Sequence, residues 1–192
     1  MTQIISKSKF DVHNKSFKFI DLFAGIGGFH QAMSELGGKC VFASEIDINA
    51  RKTYEHNFKK HSPHLFKDRL FNKDIKTIMP EEIPDFDVLC AGFPCQPFSQ
   101  AGKKYGFDDN HKSERGNLFF DIAEIIKVKR PKAFFLENVR GLINHDNGNT
   151  FKTIQHILDG FYRVWLVYNP CFFFILFYKK SQHFSRSTSP LV

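Results

Sequence analysis

The sequence contains little cysteine and no paired metal-binding motif. Its four cysteines, Cys40, Cys90, Cys95 and Cys171, do not form two CxxC pairs, so we expect no zinc knuckle and no other metal site. The first residues also lack the apolar segment of a signal peptide. We therefore expect a cytoplasmic, reducing compartment in which the thiols are free and no disulfide forms.

Long hydrophobic runs are scarce as well. The one stretch to consider as a membrane span is VWLVYNPCFFFILFY at 164–178, which Asn169 and Pro170 interrupt. It is shorter than the roughly 18 apolar residues that a spanning helix needs. We therefore expect no membrane partner.

What the sequence does contain is positive charge and enough length for one core. The net charge is +7 and the isoelectric point is near 9.2, which suits a partner rich in phosphate, such as a nucleic acid. A chain of 192 residues is long enough for one α/β domain and short for two.

Short apolar runs alternate with amphipathic stretches from about residue 17 onward. The runs 17–25, 40–47, 87–94, 132–139 and 162–168 predict strands, and the stretches 29–37, 48–58, 117–129 and 150–160 predict helices. Such alternation is typical of a mainly parallel, doubly wound α/β sheet. We predict an N-terminal arm at 1–16, a catalytic domain at 17–168, and an atypical Phe-rich and polar tail at 169–192 without a clear strand or helix period.

Ligands of such sheets bind beyond the carboxyl ends of the strands, and the glycine turn of DLFAGIGGFHQAM ends the first strand. Glu45 stands at the end of the second strand, 20 positions after Gly25, as in folds where glycines admit a nucleotide and an acid binds ribose hydroxyls. His30 stands where the dinucleotide motif GxGxxG has its third glycine, which favours a different adenosine ligand. Asp74 falls where a further strand could end, so its carboxylate could accept from an adenine amino group. The alternatives are a tight turn, a surface glutamate and a solvated loop aspartate.

The loop GFPCQPFSQAG at 92–102 holds Cys95 between Pro94 and Pro97. The two prolines restrict the backbone, so the loop is ordered before a substrate arrives. A nucleophilic thiol needs exposure and a positive setting, which Lys103 and Lys104 could supply. The alternative is a small hydrophobic residue on a turn.

Glu137 ends the apolar run AFFL, and a carboxyl in that position can hold a proton near neutral pH. A thiolate and a protonated carboxyl at neighbouring strand ends imply addition to an electron-poor ring. Attack of the thiolate at carbon 6 of cytosine, with the acid at N3, makes carbon 5 able to accept a methyl group from a sulfonium donor. The base must leave the helical stack for this.

Five segments, FIDLFAGIGGF, ASEID, GFPCQPFS, RGNLFFDI and FLENVRGL, occur in this order. Over about residues 17–160 they resemble the bacterial type of the DNA (cytosine-5)-methyltransferase family. The resemblance implies a Rossmann-like fold dependent on S-adenosyl-L-methionine (AdoMet). It also implies methyl transfer to carbon 5 of cytosine in double-stranded DNA through a Cys95–C6 adduct, within a restriction-modification system.

The same resemblance assigns roles to individual residues. Cys95 would be the nucleophile and Glu137 the acid at N3. The AdoMet pocket would use Phe23, Gly25, Ile26, Gly28, Glu45, Ile46, Asp74, Ile75 and Leu118. The catalytic loop and DNA contacts would involve Pro94, Gln96, Ser99, Lys103, Lys104 and Asn138.

The family continues with a Gln-Arg-x-Arg segment, a variable target-recognition region and a returning C-terminal segment, none of which occurs in this sequence. We therefore expect the last strands of the sheet and the target-recognition domain to be missing. We also expect this chain to be a truncated form, weakly active or inactive.

Three alternatives stay open at this point. A tRNA cytosine-5 methyltransferase shares the PCQ and ENV segments. A nucleotide-dependent oxidoreductase uses a similar sheet, although His30 in place of glycine argues against it. A non-catalytic half of a split enzyme would need a complementing chain that carries the recognition region.

Overall fold

The computed structural model describes residues 16–94, 118–139, 141–158, 162–168 and 172–179; beyond Tyr162, the last two ranges are described by their backbone only. Within these residues seven strands form one sheet: β1 Phe17–Leu22, β2 Gly38–Ser44, β3 Phe71–Asn72, β4 Val88–Gly92, β5 Ala133–Val139, β6 Tyr162–Tyr168 and β7 Phe172–Lys179. The helices are α1 Gly28–Glu35, α2 Ile48–Phe58, α3 Pro63–Lys67, α4 Leu118–Lys129, α5 Gly141–Asn144 and α6 Asn149–Leu158. Short 3-10 turns cover Ile75–Thr77, Pro80–Glu82 and His145–Gly148.

The strand order is β3-β2-β1-β4-β5-β7-β6. The first five strands are parallel to their neighbours, and β7 lies antiparallel between β5 and β6. From β1 the chain adds β2 and β3 on one side of the sheet, and it then adds β4 and β5 on the other side. The loops after β1 and β4 therefore lead away from each other. A ligand site is expected at this switch point. The predicted mainly parallel, doubly wound sheet is confirmed.

The central strands β1, β2 and β4 are buried on both faces, which explains their near-continuous apolar runs. In β1, Phe19 packs into one hydrophobic cluster with side chains of α1, α2 and α3, whereas Ile20 and Leu22 pack into a second cluster with α4 and α6. Helices therefore cover both faces. In β1 and β4 the residues alternate between the two clusters, as the side-chain period of two requires.

The C-terminal strand corrects the sequence analysis. The Phe-rich run, which has no clear period, forms β7 and pairs along its length with β5, from Ala133 opposite Tyr178 to Val139 opposite Phe172. The expectation that the last strands are missing is therefore wrong. A uniformly apolar run carries no alternation to identify it as a strand, but β5 and β6 supply backbone partners on both of its sides. The boundary at 168/169 stays a prediction.

The helix α2 shows how local sequence sets a helix boundary. It begins at Ile48 because Asp47 caps it: the carboxylate accepts from the backbone N–H groups of Asn49 at 3.0 Å and Ala50 at 2.7 Å. Tyr54 and Phe58 then bury its inner face. None of the helices in the described ranges combines the length and the apolar character needed to cross a bilayer.

Candidate active site

The loop between β1 and α1 is a strained turn. Phe23, Gly25 and Gly27 all have positive φ, at 55°, 54° and 100°, a conformation that glycine adopts at little cost. At Gly27 a Cβ would also overlap the ring of Phe58, so the turn packs directly on α2. At Gly25 and Gly28 a Cβ would meet nothing within 4 Å. These two glycines therefore border open space outside the sheet.

Glu45 lies beside this turn, just beyond the end of β2. Its Oε2 accepts from the backbone N–H of Gly25 at 2.7 Å, and its Oε1 accepts from that of Asp47 at 2.7 Å. The two bonds hold the carboxylate in one orientation. The structure therefore brings together the glycine turn and the acid that the 20-residue spacing had predicted to be neighbours.

Two apolar side chains flank Glu45 and are exposed. Ile26 in the glycine turn is 62 % exposed, and Ile46 is 63 % exposed. Exposed isoleucines beside a fixed carboxylate provide an apolar surface next to a polar group. Such a surface suits a nucleoside, whose flat base can pack on apolar side chains and whose ribose hydroxyls can donate to a carboxylate.

The remaining predicted pocket residues fall into two groups. Asp74 follows β3 by two residues, is half-buried, and accepts from the backbone N–H of Lys76 at 3.0 Å. Phe23 and Leu118 are partly buried at the margin of the core. Ile75, in contrast, is only 5 % exposed and packs in the core. Its buried side chain anchors the segment that contains Asp74 to the core.

Glu137 lies at the carboxyl end of β5, directly beside Gly92 at the end of β4. Its Oε2 would be 2.9 Å from a Cβ at Gly92, so the carboxyl group occupies the space that the missing side chain leaves. Burial raises the pKa of Glu137 above its usual range. A carboxyl group that keeps its proton to higher pH therefore lies at the start of the segment leading to Cys95.

Asn138 is tied to the same segment. It is 4 % exposed, and its Nδ2 donates to the backbone carbonyl of Phe93 at 2.8 Å. Its Oδ1 accepts from the backbone N–H of Val139 at 2.8 Å. The family resemblance implies that Asn138 is one of the substrate and loop residues, and in the structure it joins the end of β5 to the residue after β4. Pro94, which follows Phe93, is exposed.

Five predicted residues lie outside the described part of the chain: Cys95, Gln96, Ser99, Lys103 and Lys104. Of the described cysteines, Cys40 and Cys90 are buried, and burial raises the pKa of both thiols far above the usual range. Both are therefore inert core thiols. No group of three or more potential metal ligands occurs among the described side chains.

The comparison with known families decides the identity of the chain. The model of the family described as C-5 cytosine-specific DNA methylase matches residues 17–173, which is most of the chain and reaches into β7. The chain belongs to the family of C-5 cytosine-specific DNA methylases. The predicted family is confirmed.

Individual relatives of this DNA methylase family give the same result. The type II methyltransferase M.HpaII of Haemophilus parainfluenzae is 57 % identical over 144 residues, which are 75 % of this chain and 37 % of that protein. The type II methyltransferase M.HhaI of Haemophilus parahaemolyticus is 45 % identical over 142 residues, 74 % of this chain and 39 % of that protein. The chain thus spans well under half the length of these relatives.

Solved structures confirm the methyltransferase fold. The DNMT2 mutant of Spodoptera frugiperda superposes with a TM-score of 0.61 at 24 % identity, over 90 % of this chain and 54 % of that one. Dnmt2 of S. pombe gives a TM-score of 0.60 at 17 % identity, over 88 % and 53 %. The Rossmann-like fold expected for the DNA methylase family is therefore present.

One buried acid of this DNA methylase fold, Asp21, is not among the residues predicted from the sequence. Asp21 is fully buried in β1, and neither of its carboxylate oxygens makes a hydrogen bond of good geometry within the described residues. Burial raises its pKa well above the usual range, and the backbone N–H of His30 offsets part of this effect. The sequence signal is an acid inside the apolar run FKFIDLF, two positions before Phe23, where the turn begins.

Proposed function

We propose that the chain carries the methyl-transfer site of a DNA (cytosine-5)-methyltransferase, with Cys95 as nucleophile, Glu137 as acid and AdoMet as methyl donor. The observation that supports this most directly is the position of Glu137 beside Gly92. From Gly92 the chain runs through two residues to Cys95. Three residues span at most about 11 Å, so the proposed thiol and the carboxyl belong to one end of the sheet.

The cofactor site fits an adenosine-containing ligand. Glu45 offers a carboxylate, already oriented by two backbone N–H groups, to ribose hydroxyls. Gly25 and Gly28 leave open space for the close approach of a ligand. Ile26 and Ile46 would cover one face of the adenine ring, and Asp74 would accept from its amino group. AdoMet supplies, when bound, an activated methyl group on a sulfonium sulfur.

The described thiols favour Cys95 as the nucleophile by contrast. Cys40 and Cys90 are buried, and a thiol that stays protonated is a weak nucleophile. Cys95 stands instead between prolines, with Lys103 and Lys104 eight and nine positions further on. Their charges would stabilise the thiolate.

In the proposed reaction the thiolate of Cys95 adds to carbon 6 of a cytosine that has left the helical stack. The carboxyl group of Glu137 holds a proton at N3, so the electron pair of the C5–C6 double bond becomes available at carbon 5. That pair forms the new C–CH3 bond as the bond from the methyl group to the sulfonium sulfur breaks, which would leave the donor as a neutral thioether. Loss of the carbon-5 proton to solvent then restores the C5–C6 double bond and expels the Cys95 thiolate. The raised pKa of Glu137 keeps its carboxyl group protonated at a pH where an ordinary glutamate is ionised.

The proposed partner is double-stranded DNA. The net charge of +7 supports binding to a polyanion. Pro94 and Gln96 would shape the catalytic loop, and Ser99, Lys103 and Lys104 would contact phosphates. Asn138 would act from the interior, because its bond to the Phe93 carbonyl holds the base of the loop against β5.

Covalent trapping tests the proposal. Residues 17–160 of this chain would replace the matching segment of the M.HpaII relative, to which the chain is 57 % identical over 144 residues. The chimera would be incubated with AdoMet and mixed-sequence DNA that contains 5-fluorocytosine. Because fluorine blocks the final elimination, we expect a protein–DNA adduct stable in denaturing gels.

Three variants assign the roles. Cys95→Ser should abolish the adduct, and Glu137→Gln should slow its formation by about 100-fold or more, the usual contribution of a positioned acid. Cys90→Ala is the matched control, since its thiol is buried, and should trap like the parent. An adduct that survived Cys95→Ser would refute Cys95 as the nucleophile.

A further inference from the structure

The guanidinium group of Arg51 meets the carboxyl ends of two strands at once. From α2, its Nη1 donates to the backbone carbonyl of Glu45 at 2.8 Å and to that of Asn72 at 2.6 Å. Its Nη2 donates to the backbone carbonyl of Phe71 at 3.2 Å. One side chain therefore satisfies three carbonyl oxygens, one beyond β2 and two in β3.

This contact matters because the pairing between β2 and β3 is short. Only Ala43 with Phe71 and Ser44 with Asn72 are in register. Two backbone bonds extend the pair, from the N–H of Ala43 to the carbonyl of Leu70 at 3.0 Å and from the N–H of Glu45 to the carbonyl of Asn72 at 3.2 Å. A two-residue edge strand supplies few bonds of its own, so it opens locally at low cost.

The planar guanidinium is suited to this place. Its carbon lies 4.2 Å from the centroid of the Phe71 ring, a cation–π distance. Its fork of donors can serve several carbonyl oxygens from one fixed plane, which the single ammonium of lysine cannot reproduce. Charged donors also make stronger hydrogen bonds than neutral ones.

The two strand ends held by Arg51 carry the two acids of the proposed adenosine site. Glu45 is the residue whose own carbonyl Arg51 binds, and Asp74 follows Asn72 by two residues. We propose that Arg51 is a positioning residue for cofactor binding, which sets the separation of Glu45 and Asp74 without touching the ligand. This inference rests on the proposed function.

Amide hydrogen exchange tests the positioning without any ligand. In Arg51→Met, which keeps an apolar side chain over Phe71 but removes all donors, the Glu45 amide should exchange about tenfold faster or more, as expected for the loss of a charged hydrogen bond. Amides of β1 and β4 should be unchanged. Arg51→Lys should lie between Arg51→Met and the parent. Unchanged exchange at Glu45 would overturn the inference.

Calorimetric titration of the chain with S-adenosylhomocysteine and with 5′-methylthioadenosine tests the consequence for binding, well below the unfolding temperature. For both ligands we expect Arg51→Met to raise the Kd about tenfold at unchanged stoichiometry, because the shared adenosine half is affected. A merely unfolded fraction would lower the stoichiometry and leave the Kd unchanged, which would overturn a positioning role. The matched control is Lys52→Met, an exposed cation on the same helix, and it should bind like the parent.

The outcomes separate this inference from the proposed function. If the parent binds both ligands and Arg51→Met binds them equally well, the positioning role is refuted and the proposed function stands. If the parent binds neither ligand, the cofactor assignment fails, and the binding part of this inference fails with it.

Discussion

His30 is a buried residue of α1, and its ring stacks on that of Phe58 in α2 at a centroid distance of 3.8 Å. Its Nδ1 is 2.6 Å from the hydroxyl of Tyr54 and its Nε2 is 3.2 Å from that of Ser62. Burial, and to a lesser degree the nearby His64, lowers the pKa of His30 from 6.5 to about 4. The folded protein therefore keeps this imidazole neutral at a pH where the unfolded chain protonates it.

The sign of the pH effect follows from proton uptake. Between pH 6.5 and 4 the unfolded chain binds a proton at His30 that the folded chain does not, so stability falls as the pH falls through this window. Between pH 7.5 and 5.0 the loss amounts to about 2 kcal/mol, from 1.36 kcal/mol per unit of pKa difference. The same ring packs on Phe58, which also lies under Gly27, so the glycine turn should loosen with it.

The assay compares urea unfolding of the parent and of His30→Gln at pH 7.5 and 5.0. The parent should lose about 2 kcal/mol more stability than the variant over this interval. The parent must be compared with the variant because Asp21, a buried acid with a raised pKa, contributes more to the stability of the fold as the pH falls. Its effect is opposite to that of His30 and is the same in both proteins. His56→Gln, which removes an exposed histidine of α2, should behave like the parent. Equal losses in the parent and His30→Gln would refute the reasoning.

Two further substitutions test the packing around the site. Gly27→Ala should destabilise the protein by about 2–3 kcal/mol, because the added Cβ overlaps the Phe58 ring and the backbone is strained at φ 100°. The control Gly37→Ala, at φ 85° in open space, should cost only about 1 kcal/mol. Urea unfolding measures both costs, and equal costs would contradict the overlap. Asn138→Ala should cost about 1–3 kcal/mol in the same assay, because the Phe93 carbonyl loses its buried donor, and a loss under about 0.5 kcal/mol would show that this bond is replaced.

Much of the fold could be predicted because its signals are local. The α2 stretch 48–58 agrees with the observed helix, since an N-cap aspartate and helical spacing of buried residues both act within a few positions. The strand preceding Cys95 was predicted at 87–94 and observed at Val88–Gly92, because a buried strand needs a short apolar run. The Phe-rich run had no such period, and it became β7 through its neighbours.

In the candidate site, too, some contacts could be predicted from the sequence and others could not. Glu45 beside the glycine turn could be predicted from spacing, because parallel strands bring their carboxyl ends to one edge. The contacts of Asn138 and Arg51 could not, since each joins a side chain to the backbone of a different strand. Such a bond exists only once the strand order is known.

The sequence by itself determined the family, the alternation of strands and helices, and the residue types available for chemistry, because composition, period and motif are properties of neighbouring positions. Only the tertiary structure decided that β7 completes the sheet, that His30 and Asp21 lose contact with water, and that Arg51 joins the ends of β2 and β3. These features depend on which segments meet in space. Burial and hydrogen bonding across such contacts, rather than residue identity alone, set the protonation and the orientation of the side chains.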